Sequence, residues 1–445
     1  MQYEKLFRTQ SVWKSICSLA IPSVIIILVM ILYNMTDMFF VGQLGDYNQV
    51  AAVSVVGPLF SLSAAVATML GSGGCALIAG ALGSDDIKRA KTYASLCGWG
   101  SVGFGLLITV VLLLTKNAVL PLLGATEEFL PYAESYMGIC ALGVPFLLAS
   151  TTLGAIIRAE GAVRQGMTGG MIATLTNMVL DPLFILVMGM GVAGAAVATV
   201  IGNIVGTLYY AYFMWKKATV LNMNAHLAGK NFRLLFQILA LGMPNALSSI
   251  LSGFASTFSN RLLGTYGTDA IAAMAAAGKT TMLIAMLQMG ICMGIQPLLA
   301  YNYGAKDIQR LKEVIQKVAV LTIGVGIVTG GFCYLCRHQI ISMFIKDIAV
   351  AHLGEGLVLF LVAASPMIGI YYLSTNFMQA SGKALLATVM SLLRQGVLLI
   401  PFLYLFHAFM GMSGIAAAHM AADLLSVAIG GSVLFCQLHK CMHAE

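Results

Sequence analysis

Charge is what this sequence has least of. Only 9% of its 445 residues are Asp, Glu, Lys or Arg, while 59% are hydrophobic. Soluble globular chains carry about 25% charged residues, so a soluble enzyme is excluded. Paired cysteines are lacking as well: the nine present are scattered, which excludes a disulfide scaffold. Cys333 and Cys336 form a C-x-x-C, but it lies within an apolar run and has no second pair, so packing is its expected role. Cys436, His439, Cys441 and His443 would bind metal only adventitiously and are expected to form a solvated tail. With no nucleophile–base set and no convincing metal motif, no enzymatic activity and no cofactor are expected. No cleavable signal peptide is expected either, because the first apolar run is too long and lacks a small-residue cleavage site.

What is present is a series of apolar runs, each of about 20 residues or more and so long enough to span a bilayer. Twelve are expected, near 15–41, 51–82, 92–115, 129–157, 166–188, 192–215, 236–263, 269–301, 313–337, 351–378, 385–406 and 413–436. The fold class is therefore an all-α polytopic membrane protein. Of the 24 Lys and Arg residues, only Lys116, Arg261, Arg337 and Lys346 fall on one side of this model, and Lys279 and Arg394 fall inside spans. The rest gather on the other side. By the positive-inside rule both termini are cytoplasmic, in the cell (inner) membrane. The net charge of +7 is thus a signal of topology, and no nucleic-acid partner is expected.

The chain is written twice. IPSVIIILVMILYNMTDMFFVGQLG, with Pro22, is answered by MPNALSSILSGFASTFSNRLLGTYG, with Pro244, at a spacing of 222 residues (244 − 22). ALGSDDIKRAK is answered by NYGAKDIQRLK, Pro145 by Pro366, Glu134 by Glu355, RAEG by QASG and GVAGAAVAT by GMSGIAAAH. Each copy holds six spans, and an even number restores the same sidedness, so the copies are parallel repeats. That arrangement is a signature of secondary transporters. The expected division is 1–215 for the first six-helix lobe, 216–235 for a cytoplasmic linker and 236–445 for the second lobe.

Only the first copy keeps a carboxylate in its opening helix: Asp37, where the second has Ser259. A lone acid in a span costs roughly 2.5–3.5 kcal/mol on insertion scales and usually marks an ion or substrate path. Asp181 in span 5 lies one turn from Asn177, and Thr199 in span 6 lies one turn from Asn203, each at the i, i+4 spacing of one helix face. Two neighbouring buried carboxylates cannot both ionise cheaply, so Asp37 and Asp181 are expected to titrate as a unit. The same oxygens, with an amide and a hydroxyl, also suit Na⁺. Against this, an Asp-Pro such as Asp181-Pro182 can serve only as a bend or cap, and Asn177 and Thr199 can simply knit helices together. Pro22 is expected to bend span 1.

The second copy holds Lys279, Arg394, His419 and Asp423 inside its spans. Asp423 is expected to neutralise Arg394 or Lys279, because an unpaired buried charge is expensive. A second proton or substrate site is the alternative. For the substrate path, the 27 methionines and the aromatics Tyr33, Tyr136, Phe146, Tyr371, Tyr372 and Phe377 would suit varied flat ligands, with Gln288 and Asn376 as polar contributors.

Through NMTDMFFVGQLGD, RAEGAVRQGM, NMVLDPLFI, GAAVAT, QPLLAYNYGA and QASGK, nearly the whole chain resembles the MATE (multidrug and toxic compound extrusion) transporters, most closely their MepA-like bacterial branch. The resemblance implies two six-helix lobes in a V shape. It also implies export of bulky, often cationic organic compounds against inward H⁺ or Na⁺ by alternating access, with the protein acting as a monomer among membrane lipids. Asp37, Asn177, Asp181 and Thr199 match the family's N-lobe cation-coupling cluster, to which Ala195 would add a backbone carbonyl. In relatives a bend at the position of Pro22 accompanies protonation. Some members hold Na⁺ in the second lobe with an acid in span 7, where this chain has Ser256 and Ser259. A lipid-linked oligosaccharide flippase of the same superfamily is the alternative, but those relatives have a strongly basic cavity and this chain offers only Lys279 and Arg394.

Overall fold

The computed structural model describes residues 4–43, 46–216, 221, 223–345 and 347–443. Among these every regular element is helical. A backbone in lipid has no water to bond, so each spanning segment must satisfy its own amides and carbonyls. The spans are α1 (Val12–Gly42), α2 (Tyr47–Gly83), α3 (Ile87–Leu122), α4 (Leu130–Ala159), α5 (Val163–Val187), α6 (Val192–Lys216), α7 (Leu235–Leu263), α8 (Thr268–Gly304), α9 (Ile308–Leu335), α10 (Ile348–Ala363 with Ile368–Ala380), α11 (Ala384–Met410) and α12 (Met412–Met442). Eleven are long and apolar enough to cross a membrane singly. The halves of α10, bent by 47° at their break, make the twelfth if they form one span. The expected linker contains a short helix, Ala225–Lys230. Its residues 217–220 and 222, including Lys217, lie outside the described residues, as does Lys346.

The repeat is visible in backbone detail. Asp86 caps α3 by accepting from the Arg89 amide at 2.9 Å, and Asp307 caps α9 by accepting from the Arg310 amide at 3.0 Å. The residue before each cap is left-handed without being glycine: Asp85 has φ 58° and Lys306 φ 56°. Gly105 packs on Pro145, and its counterpart Gly326 packs on Pro366. Both copies therefore turn and cross at the same places.

The chain divides into two compact units, drawn differently from the repeat halves 1–215 and 236–445. The first is built mainly of Ile25–Gly242, and the second joins Gln10–Val24 to Met243–Glu445. Glycine explains both exchanges. In the first unit Gly73 of α2 lets the backbone of Ile238 and Gly242, in the opening turns of α7, lie directly against it. In the second unit Gly294 of α8 does the same for Leu19 and Ser23, in the opening turns of α1. Within α1 and within α7 the change of unit falls within three residues of a proline, Pro22 or Pro244. Pro22 removes the amide that would bond the Ser18 carbonyl, and beside it Ser23 Oγ donates to the Leu19 carbonyl at 2.9 Å.

A Cβ on Gly294 would sit 2.8 Å from the Leu19 carbonyl oxygen, and one on Gly73 would overlap the Ile238 carbonyl. Neither obstacle is a flexible side-chain end. Gly73→Ala and Gly294→Ala are each expected to cost about 1–3 kcal/mol, the usual penalty of overpacking. Gly103→Ala, with nothing within 4 Å, should be neutral or stabilising. Thermal midpoints of the purified variants in detergent check the contrast.

Candidate cation and substrate site

In the first unit three helices bring the expected cluster together. Asn177 and Asp181 on α5 are 3% and 0% exposed. Asn177 Nδ2 donates to Thr199 Oγ1 on α6 at 3.1 Å, and Asn203 Nδ2 donates to the Thr199 carbonyl at 2.9 Å. Asp37 on α1 is half-buried and close enough to interact electrostatically with Asp181. Tyr33, one turn before Asp37, lies within hydrogen-bonding reach of Thr199.

The cluster is rich in acceptors and poor in donors. Among the described residues, Asp37 Oδ1, Asn177 Oδ1 and both carboxylate oxygens of Asp181 are buried with no hydrogen-bond partner. A buried carboxylate without a donor is costly. It becomes tolerable when it takes up a proton or when a hard cation such as Na⁺ supplies the missing positive charge. Four such oxygens on neighbouring helices offer both options.

One turn further along each helix, toward the end opposite the basic loops, the lining becomes apolar. Ile185, Val192 and Ala195 form a buried patch against Phe40, Val50, Val53 and Tyr136. Ala195 sits in this patch, 2% exposed. Here α5 ends in a π-helical turn, Leu183–Val187, following Pro182. Gly191, at φ 58°, then reverses the chain into α6. Gln49 fixes that reversal: its Oε1 accepts from the Val192 amide at 3.0 Å, and its Nε2 donates to Asp46 at 3.1 Å. A side chain at 191 would both strain the turn and strike the Gln49 amide. Gln49 was missed in the sequence because its bond spans 143 residues. The one signal was an amide just outside an apolar run.

The substrate candidates divide. Tyr33 and Tyr136 gather around Asp37, Tyr136 together with Cys140, which sequence reasoning did not single out. Phe146 is 37% exposed, and its carbonyl accepts from Thr207 at 3.1 Å. In the second unit Gln288 is fully buried and donates to the Ser365 carbonyl at 2.7 Å, joining α8 to the break in α10. Asn376 turns back onto the Tyr372 carbonyl at 2.8 Å, and Phe377 is fully buried edge-on to Tyr303. Those three have packing partners inside their own unit.

The second polar cluster also assembles. Arg394 lies in a π-helical stretch of α11, Leu393–Leu398. Its Nε donates to Asp423 Oδ1 on α12 at 2.8 Å, and its Nη1 to the Tyr372 hydroxyl at 3.3 Å. The guanidinium also stands over the rings of Tyr371 and Tyr372, at 4.9 and 5.4 Å. His419 shares a pocket of about 220 Å³ with Arg394 and Asp423. Lys279 is exposed and joins no ion pair among the described residues, so Asp423 neutralises Arg394.

A family model described as MatE matches residues 22–183 and again 244–405, so it finds two copies at the repeat spacing. The chain is similar to the multidrug export protein MepA of Staphylococcus aureus, 30% identical over 420 residues, covering 94% of this chain and 92% of that protein. MepA of Staphylococcus saprophyticus is 28% identical over 419 residues, with the same coverage. Among solved structures, a crystal structure of MATE in complex with MaL6 superposes with a TM-score of 0.94 over 99% of each chain at 23% identity. An outward-facing multidrug resistance MATE family transporter of the MOP superfamily superposes with 0.93, also at 23% identity and 99% coverage. At that identity the likeness shows the fold.

Proposed function

We propose, since the chain belongs to the MatE family of membrane transporters, that it exports bulky, often cationic organic compounds in exchange for inward-moving H⁺ or Na⁺. The observation that carries this reading is the set of four donor-less buried oxygens on Asp37, Asn177 and Asp181. The distribution of Lys and Arg supports the reading that it lies in the cell membrane with both termini cytoplasmic. MepA's role as a multidrug export protein supports the substrate class.

In the proposed cycle Asp37 and Asp181 carry negative charge while a cationic substrate is bound. A proton or Na⁺ arriving from outside takes up the donor-less oxygens and cancels that charge. The substrate then loses its electrostatic partner and leaves outward, and the coupling ion is released inward after the alternate conformation forms. For this to work each ligand must prefer one conformation, since a ligand with no preference shifts nothing. Pro22 is the proposed point of flexure, because α1 passes from one compact unit to the other beside it. Flipping of a lipid-linked oligosaccharide is disfavoured, because the Arg394 guanidinium is already engaged by Asp423.

The test is efflux of a fluorescent organic cation from sealed vesicles, with the pH and Na⁺ gradients varied independently. One of the two gradients is expected to drive efflux on its own. Efflux indifferent to both would sink the antiport reading.

A further inference from the structure

The cavity formed by α5 and α6 at the basic-loop end of the first unit has no part in the cycle above. It measures about 220 Å³ and is lined by Arg164, Gln165 and Thr168 from α5 and by Tyr209, Tyr212 and Phe213 from α6. The two helices press together there because Gly169 admits the Tyr210 ring, whose hydroxyl donates to the Gly166 carbonyl at 2.6 Å. That contact turns the neighbouring aromatics Tyr209 and Tyr212 into a wall. Lys216, the last residue of α6, holds its ammonium 5.5 Å from the Tyr212 ring and 5.7 Å from the Trp215 ring.

We propose that this cavity binds the phosphate headgroup of an anionic phospholipid. Three observations converge. The first is charge: Arg164 lines the cavity, Lys216 stands against its Tyr212 wall, and no acidic residue lines it. The nearest acid in sequence, Glu160, is 4% exposed and is not part of the lining. A guanidinium fork suits a phosphate, and the hydroxyls of Tyr209 and Tyr212 add neutral donors, while the Thr168 hydroxyl donates to the Arg164 carbonyl at 2.8 Å.

The second is position. The cavity lies at the membrane edge where the chain's basic residues gather, and Tyr212 and Trp215 are 50% and 82% exposed, as aromatics that sit at headgroup level are. Basic pockets between helices at such an edge are where anionic headgroups are held.

The third is a track for the acyl chains. On α5 the exposed residues Arg164, Thr168, Leu175 and Val179 share one face, and on α6 Leu208 and Tyr212 do. From Arg164 to Leu175 the helix rises about 16 Å at 1.5 Å per residue, roughly the depth of one leaflet. A polar cavity is thus continuous with an apolar strip of acyl-chain length. A zwitterionic choline or ethanolamine lipid fits less well. Its ammonium would need the ring face that Lys216 already covers, and no carboxylate lines the cavity to hold it.

Trp215 provides the readout. In full-length protein carrying Trp13→Phe and Trp99→Phe, its fluorescence reports contact with brominated lipid in vesicles of phosphatidylcholine and phosphatidylglycerol. Brominated phosphatidylglycerol is expected to quench it preferentially at equal mole fraction. Arg164→Gln and Lys216→Gln should each lower that preference roughly five-fold, the weight of one basic residue at an anionic surface. Lys312→Gln, an exposed residue of the second unit, should leave it unchanged. Equal quenching by the two lipids, or equal losses from all three substitutions, overturns the proposal. Glycerol phosphate in solution should not displace the lipid; if it does, the site serves a soluble phosphate and the lipid assignment fails. Dye efflux is not the readout, so failure here leaves the antiport reading untouched.

Discussion

Replacing Asp37 by asparagine is expected to abolish gradient-driven export while leaving the fold intact. Asparagine has nearly the shape of aspartate, but it can neither take up a coupling proton nor offer a full negative charge to a cation. The half-buried carboxylate keeps one oxygen without a donor, so no structural hydrogen bond to that atom is lost. Transport should fall by at least about ten-fold, the equivalent of 1.4 kcal/mol of lost preference between two conformations. Asp181→Asn should behave alike, and the double substitution should be little worse than either single one, since residues that act as a unit are not additive. Thermal stability separates this from a structural role. Both oxygens of Asp181 are buried without a donor, so removing the charge should leave the midpoint unchanged or raise it. A fall in stability on Asp181→Asn would instead identify the Asp-Pro step as a helix bend or cap. Export of an uncharged substrate should be less sensitive than export of a cation to loss of the counter-charge.

Much of this molecule was legible in residue order because the repeat and the membrane both act locally. Apolar runs of this length read directly as spans, since a backbone in lipid must be helix or closed barrel and a barrel strand needs only about half as many residues. Asn177 with Asp181, and Thr199 with Asn203, could be placed on shared faces by the i, i+4 rule, while the bond from Asn177 Nδ2 to Thr199 that joins the two helices is seen only in the structure. The pairing of Arg394 with Asp423 was readable from the cost of an unpaired charge. What was hidden depends on contacts far apart in sequence. Nothing in the order of residues said that the opening turns of α1 and α7 would each join the other copy's unit. That follows from two glycines, Gly73 and Gly294, which leave room for a neighbouring backbone. Gln288 and Asn376 looked like cavity groups for being polar within spans. A polar side chain in a span is equally well satisfied by a nearby carbonyl, and both take one.

Asp423→Leu, which leaves the Arg394 guanidinium in place without its partner, is expected to destabilise the second unit by about 3 kcal/mol, the low end of the range for breaking a buried ion pair. The low end applies because the pair is not sealed: the side chains are 12% and 26% exposed. Arg394→Met should cost less. It loses the bond to Asp423, the contact to the Tyr372 hydroxyl and the stacking on Tyr371 and Tyr372, yet the charge left behind is that of Asp423, the more exposed partner. The double substitution Arg394→Met with Asp423→Leu should recover most of the loss, because apolar replacements of similar volume remove both desolvation penalties together. Thermal midpoints of the four proteins in detergent measure this directly. Vesicle efflux then tells what the pair is for. If the double variant is stable and still exports a dye, Arg394 and Asp423 are a neutralised pair that holds α11 to α12. If it is stable but silent, the pocket they share with His419 takes part in transport, and the charge asymmetry between the two copies is a division of labour.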